Sequence, residues 1–354
     1  MTDRRQIVEL WHRGDATALV TLVCVEGSSY RRPGARLLIA ANGDYAGSIS
    51  GGCLEAEVIR KAAWLARNGA VVQRYSTLFD DTAEIPYGLG CGGTVDLLIE
   101  PAATPACSEL FRALEASLTG LSFTVETLLP SRNHPLRRSI HPCISPRGVH
   151  TNPPDIPEPL PSHIFREQLH PPQRLLLFGA GDDAQPMVRC AALLGWRTVV
   201  IDSRPTWARP ERFPEAELVL CRSSLEDLTI DPNDAVVLMT HSYEQDRAWL
   251  TAALPAHPLY LGLLGARHRS ALLVSEAAAR LNWTVEQACA GLFAPIGLDL
   301  GGDGAEAIAL ATIAEVQARC QGKIGYSRRM TPAAVAEQLQ LGGASRYLQT
   351  HCAV

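Results

Sequence analysis

Missing from this sequence is any Cys-x-x-Cys pair, although ten cysteines are spread along its 354 residues. Their scatter argues against a structural zinc site and against the disulfide framework of a small secreted protein. Most are read as reduced, buried thiols that pack as small apolar groups. Runs of Lys or Arg are absent too, and a formal net charge of -5 gives no electrostatic footprint for nucleic acid or an anionic membrane surface. No apolar stretch is long enough to span a bilayer, and Met1–His12 has helical periodicity without the apolar core of a signal peptide. The expected location is cytoplasmic, with no membrane partner. The Gly-x-Ser-x-Gly elbow, the Walker lysine loop and His-Glu-x-x-His are lacking as well, so hydrolase, P-loop ATPase and zinc-protease readings have no support. No metal-ligand set is assigned.

What is present suits a folded protein: 47% hydrophobic and 19% charged residues over a length sufficient for two domains. Eleven of the 24 prolines fall between Pro130 and Pro172, and a segment so rich in proline is expected to carry neither helix nor central strand. It is read as a linker, 130–172, with Leu160–Leu169 as a candidate short ordered piece that docks on one domain. Ahead of it, residues 1–129 alternate strand-like runs (18–25, 35–40, 45–50, 71–75, 94–100) with helical patterns near 54–67 and 107–118, an α+β domain. Beyond it, apolar runs at 174–178, 198–202, 217–221, 235–240 and 259–263 alternate with helices or loops. That rhythm predicts an α/β domain over 173–325, a Rossmann-like, doubly wound parallel sheet. A helical tail is expected over 326–354.

The most informative stretch is 175–204. An apolar strand, the turn Gly179-Ala-Gly181, a helix, a second apolar strand and an acidic residue follow one another as in the opening of a dinucleotide-binding unit. Gly179 permits the tight turn, Gly181 lets backbone amides approach a pyrophosphate, and Asp202 lies where a carboxylate can accept from a ribose. His241, after the buried run 235–240, and Gly262, Gly265 and Arg267, after the next run, fall at strand ends of the same crevice. His241 can bond a ligand or move a proton; it can equally cap the following helix.

In the first domain two clusters place a thiol among glycines, Ser50-Gly51-Gly52-Cys53-Leu54-Glu55 and Gly88-Leu-Gly90-Cys91-Gly92-Gly93. Such turns admit close approach by a ligand, and Cys53 precedes a helix whose dipole favours a thiolate. They also suit tight turns around a small buried residue. Between two strands, Gly27-Ser28-Ser-Tyr-Arg31-Arg32-Pro-Gly-Ala-Arg36 offers hydroxyls and guanidinium forks suited to phosphate or a phosphorylated pterin, or the charges of an ordinary solvated loop.

Assembled, these segments resemble the XdhC/CoxI family of xanthine dehydrogenase accessory proteins. The likeness rests on Gly27–Arg36, Gly47–Glu55, Gly90–Gly93, Leu177–Asp182, Val200–Pro205, Arg212–Ala216, Met239–His241, Tyr260–Arg267 and Ala294–Gly302. The resemblance implies a factor that binds molybdenum cofactor, the molybdopterin cargo, supports its sulfuration and delivers it to a molybdenum hydroxylase of the xanthine dehydrogenase type. It also implies a cysteine desulfurase as second partner and a homodimer. On this implication Cys53 and Cys91 lie near the molybdenum end. Ser28, Arg32, Arg36, Gly51, Gly52 and Glu55 contact the cofactor from the first domain, and Gly179, Gly181, Asp182, Asp202, Arg204, His241, Gly262 and Gly265 contact its nucleotide-like end or a separate NAD(P) or other nucleotide. Asp182 departs from the Gly-Ala-Gly-His of many members, and its carboxylate opposes a phosphate placed beside it. The competing reading from fold alone is a NAD(P)-dependent oxidoreductase with His241 as acid or base.

Overall fold

The computed structural model describes residues 2–52, 54–76, 93–131, 134–143, 163–225, 228–325, 331–333 and 335–336. They form two compact units, one of the described residues up to Pro171, with which 331–333 and 335–336 group, and one from Pro172 to residue 325.

The first unit runs α1 (Thr2–His12), β1 (Ala16–Gly27), β2 (Arg36–Ala40), β3 (Tyr45–Gly47), α2 (Glu55–Leu65), β4 (Val71–Ser76), β5 (Gly93–Pro101), α3 (Pro105–Leu118), β6 (Phe123–Leu128), β7 (Arg137–Pro142) and β8 (Ile164–Leu169). Its main sheet is antiparallel, in the order β3-β2-β1-β5-β4. Both faces are covered, which is why β1 and β2 read as nearly unbroken apolar runs. Leu19 and Leu38 pack with Ile7, Val8 and Phe111 of α1 and α3, while Val20, Leu22 and Leu37 pack with Val58 and Ala62 of α2.

The proline-rich stretch is not free of strands. β7 and β8 flank β6 in a second antiparallel sheet, β7-β6-β8. Both lie at its edges, where a missing N–H and charged outward side chains are tolerated, whereas proline-free β6 is central. Two buried ion pairs tie this sheet to the rest of the unit. Arg138 of β7 forks onto Glu100 of β5, at 2.7 and 3.2 Å, and donates to the Ala106 carbonyl and the Thr127 hydroxyl. Arg36 of β2 pairs with Glu167 of β8.

The second unit runs β9 (Arg174–Phe178), α4 (Ala184–Leu193), β10 (Arg197–Asp202), β11 (Leu218–Cys221), β12 (Ala235–Leu238), α5 (Tyr243–Ala253), β13 (Tyr260–Leu263), α6 (Arg267–Leu281), α7 (Val285–Cys289), β14 (Leu292–Phe293) and α8 (Ala305–Cys320). All its strand pairs are parallel, in the order β11-β10-β9-β12-β13-β14. Counted within the unit this is 3-2-1-4-5-6, the doubly wound arrangement expected from the sequence. One face packs on α4 and α8 through Met187, Val188, Ile313 and Val316, the other on α5 and α6 through Trp249, Leu250, Leu273 and Ala277. Strand order reverses between β9 and β12, and ligands of such sheets bind outside the strand ends at that point.

Of the seven cysteines among the described residues only Cys107 is buried; Cys24, Cys221 and Cys289 are exposed and the rest partly so. The expectation of mostly buried thiols therefore holds for Cys107 alone among them. No helix of the described residues is long and apolar enough to cross a membrane.

Candidate functional site

In the first unit β1 ends at Gly27, opposite Gly93 at the start of β5, while β2 begins at Arg36 beside Gly47 at the end of β3. Antiparallel pairing thus brings the loop 28–35, the turn 48–52 and the start of β5 to one end of the sheet. Cys53 and Cys91, the two candidate thiols, lie outside the described residues, and so does the expected helical tail beyond residue 336. Their nearest described neighbours, Gly52 and Gly93, belong to this end.

The turn before Cys53 is organised by Glu55. Its carboxylate accepts the Ser48 hydroxyl at 2.8 Å, the Ser50 hydroxyl, and the amides of Ile49, Ser50, Gly51 and Gly52 at 2.9–3.2 Å. Successive amides converge on it as they would on a bound anion. Burial pushes the Glu55 carboxyl up, but the Ser50 side chain and amide, then Ser48 and Gly51, more than offset this and bring its pKa to about 2. Gly51 and Gly52 are exposed, and the Tyr30 ring lies against Gly51. Ser28 and Arg32 are exposed on the neighbouring loop. Arg36 is not: its side chain is 6% exposed and held by Glu167 and the Gly34 carbonyl.

In the second unit the turn between β9 and α4 occupies the switch point. Gly179 has φ of +122°, and a Cβ there would collide with the Met239 carbonyl, so the residue is required by close approach of two strand ends. Asp202, at the tip of β10, is 2% exposed and fully engaged. One oxygen accepts the Arg204 amide and Nε, both at 2.9 Å; the other accepts the Ala180 amide at 2.8 Å and Arg204 Nη2 at 2.7 Å. Burial pushes this carboxyl up, and the Arg204 fork and Ala180 amide bring it to a net value below its ordinary one. Four donors fill the lone pairs of a carboxylate, so a ribose hydroxyl could reach Asp202 only by displacing one.

His241 stands at φ +60° just past β12, its Nε2 2.7 Å from Asp183 Oδ2. Asp183 therefore turns toward the histidine and does not cap α4, which has no side-chain cap. Asp182, beside Gly181, is 82% exposed and pairs with Arg212 at 2.7 Å. Gly265 adjoins the Arg269 side chain, while a Cβ at Gly262 would meet Tyr260 and Ile296 at 2.6 Å, so that glycine makes room for packing inside the sheet.

Two charged groups here have no counterpart among the sequence candidates. Arg212 donates to the Ala180 carbonyl at 2.5 Å and the Trp207 carbonyl at 3.0 Å, with its guanidinium 4.5 Å from the Trp207 ring centroid. Asp246, fully buried, joins the Thr240 amide and hydroxyl to Arg269. The sequence signal for Arg212 is the acidic charge at 182, which calls for a cation; the two are 30 residues apart, beyond the reach of local spacing.

Comparison with known proteins places both units in one group. Residues 175–316 match the family model described as the XdhC Rossmann domain, and residues 10–76 that of the XdhC and CoxI family. A Bacillus subtilis protein named as a probable xanthine dehydrogenase subunit is 27% identical over 85% of this chain and 92% of its own length. The molybdenum cofactor insertion chaperone PaoD of Escherichia coli is 27% identical over 88% of this chain and 86% of its own. A crystal structure of a Bacillus halodurans protein described as a xanthine dehydrogenase superposes with a TM-score of 0.76 at 27% identity, covering 95% of this chain and 99% of that one.

Proposed function

Since the chain belongs to the XdhC and CoxI family, we propose that it is a cytoplasmic maturation factor that binds molybdenum cofactor, supports its sulfuration and hands it to a hydroxylase of the xanthine dehydrogenase type. The observation that carries this reading is the likeness across both units to a relative named as a molybdenum cofactor insertion chaperone. The cofactor is cargo, not a resident group.

In this role Cys53 and Cys91 face the molybdenum end. The turn held by Glu55 fixes the backbone next to Cys53, and exposed Arg32 supplies a cation for the cargo's anionic groups. The second unit binds the phosphorylated part at the switch point of its sheet. A cysteine desulfurase donates the sulfur, so neither thiol need turn over covalently, and the working form is a homodimer. Full occupation of Asp202 by Arg204 and the Ala180 amide weighs against a nicotinamide oxidoreductase that takes a ribose diol there.

The test is to purify the protein from cells, oxidise any bound pterin to its fluorescent form, and assay activation of an apo-hydroxylase. Wild type is expected to carry pterin and to activate. Replacing Cys53 and Cys91 together by Ser is expected to lower activation at least tenfold. Wild type without pterin overturns the carrier reading, and full pterin retention and activation by the double variant removes the thiols from it.

A further inference from the structure

Arg212 is anchored by contacts beyond its ion pair with Asp182. Its Nη1 spans the Ala180 and Trp207 carbonyls, and its guanidinium lies 4.5 Å from the Trp207 ring centroid and 5.3 Å from that of Phe213. It is 17% exposed, and its other terminal nitrogen, Nη2, points to Asp182. Among the described residues Asp182 is the carboxylate that bonds it, and that side chain is 82% exposed at the rim of the glycine turn. An ion pair with so much solvent around one partner is weakly held, so it opens readily.

The place where it opens is beside Gly181, in the turn ahead of α4; the first amides of that helix, Ala184 and Gln185, are bonded to the Gly181 and Asp182 carbonyls, so the cation that an anion would meet there is Arg212. The other acids of the turn are already taken: Asp183 by His241, and Asp202 by Arg204 and the Ala180 amide. A fixed guanidinium accepts a phosphate with two parallel hydrogen bonds, and a phosphate carries more charge and more acceptor oxygens than the carboxylate it would displace.

We propose that Asp182 is an exchangeable placeholder for a ligand phosphate and that Arg212 is the residue that receives it. The ligand class is a phosphate or pyrophosphate ester recognised through its anion and not through a ribose diol. This deepens, and rests on, the reading that the second unit holds the phosphorylated part of the cargo. It also removes the difficulty that Asp182 posed in the sequence, because the carboxylate moves aside when the phosphate takes its partner.

The full chain is titrated with inorganic pyrophosphate and, separately, with ADP, following emission of Trp207 with Trp207→Phe as blank. Removing the competing charge in Asp182→Asn is expected to tighten binding at least fivefold. Arg212→Gln is expected to weaken it at least tenfold, alone or combined with Asp182→Asn. Either ligand showing this pattern supports the exchange. Asp182→Asn binding no tighter than wild type, Arg212→Gln binding as well as wild type, or no binding by wild type and Asp182→Asn, overturns it. Because Asp182 is exposed, its variant does not depend on a refolded core. If the exchange fails while pterin still copurifies, the placement is wrong and the carrier reading stands; an exchange without copurifying pterin sinks the carrier reading alone.

Discussion

Glu55 shows how a single side chain sets a local structure that has no regular hydrogen-bonding ladder. The amides of residues 49–52 would be unsatisfied donors in a turn of this shape, and one carboxylate receives all of them together with two hydroxyls. Its pKa of about 2, against 4.5 for a free carboxyl, means that its stabilising effect is complete above about pH 4.5 and is lost as pH falls toward 2. A depression of that size corresponds to something on the order of 3 kcal/mol. Glu55→Gln is therefore expected to lower stability by an amount of that order at pH 7 and to flatten acid destabilisation between about pH 5 and 2, as read by urea unfolding at a series of pH values. Unchanged acid sensitivity in the variant would show that the turn does not draw on the ionised form. The same residue explains why side-chain type alone misleads: a glutamate beside a candidate thiol reads as a ligand, yet this one is only 6% exposed and bound by its own loop.

At the level of elements, legibility followed the range of the interactions involved. β9, β10, β12 and β13 of the parallel sheet and the core strands of the first unit are legible in their apolar runs because burial on both faces leaves a local mark in the sequence. β7 leaves none, and β8 shows only as a short ordered piece before residue 172, not as a strand. Arg137–Pro142 and Ile164–Leu169 carry charged and exposed residues, and although β7 follows β6 closely in the chain, β8 reaches it only from across the rest of the proline-rich stretch, so composition points to a linker. β14, two residues long, is likewise invisible to periodicity. Arg36 has the same lesson at the site: its partner is 131 residues away, so its loop looked open while its side chain was buried. A role for β7 as a structural strand makes a firm prediction. Arg138→Ala strips the partner from Glu100, 1% exposed, and is expected to cost about 3–5 kcal/mol in urea unfolding, the usual penalty for leaving a buried charge unpaired. Arg138→Met combined with Glu100→Gln removes both charges and is expected to recover much of that loss, whereas an Arg138→Ala variant as stable as wild type would make β7 dispensable.

For the molecule as a whole the question is where it can be cut. The core clusters of the first unit draw on residues from Ile7 to Leu169, and those of the second on residues from Leu175 to Cys320, with no side chain shared between them. A domain with its own core and a full set of strand partners folds alone, so the physical boundary is expected at Pro171–Pro172 and not at the start of the proline-rich stretch. Residues 1–171 keep β7, β8, Glu167 and Arg138. Residues 1–129 lose them, which leaves Arg36 and Glu100 buried without their partners and both edges of β6 unpaired. Fragments 1–171 and 172–325 are therefore each expected to unfold in a single cooperative urea transition, while 1–129 unfolds without one or aggregates. The comparison is decisive because both N-terminal fragments contain every helix and strand of the main sheet: equal stability of 1–129 and 1–171 would show that the proline-rich stretch adds nothing to the first unit, and that its two buried ion pairs are incidental.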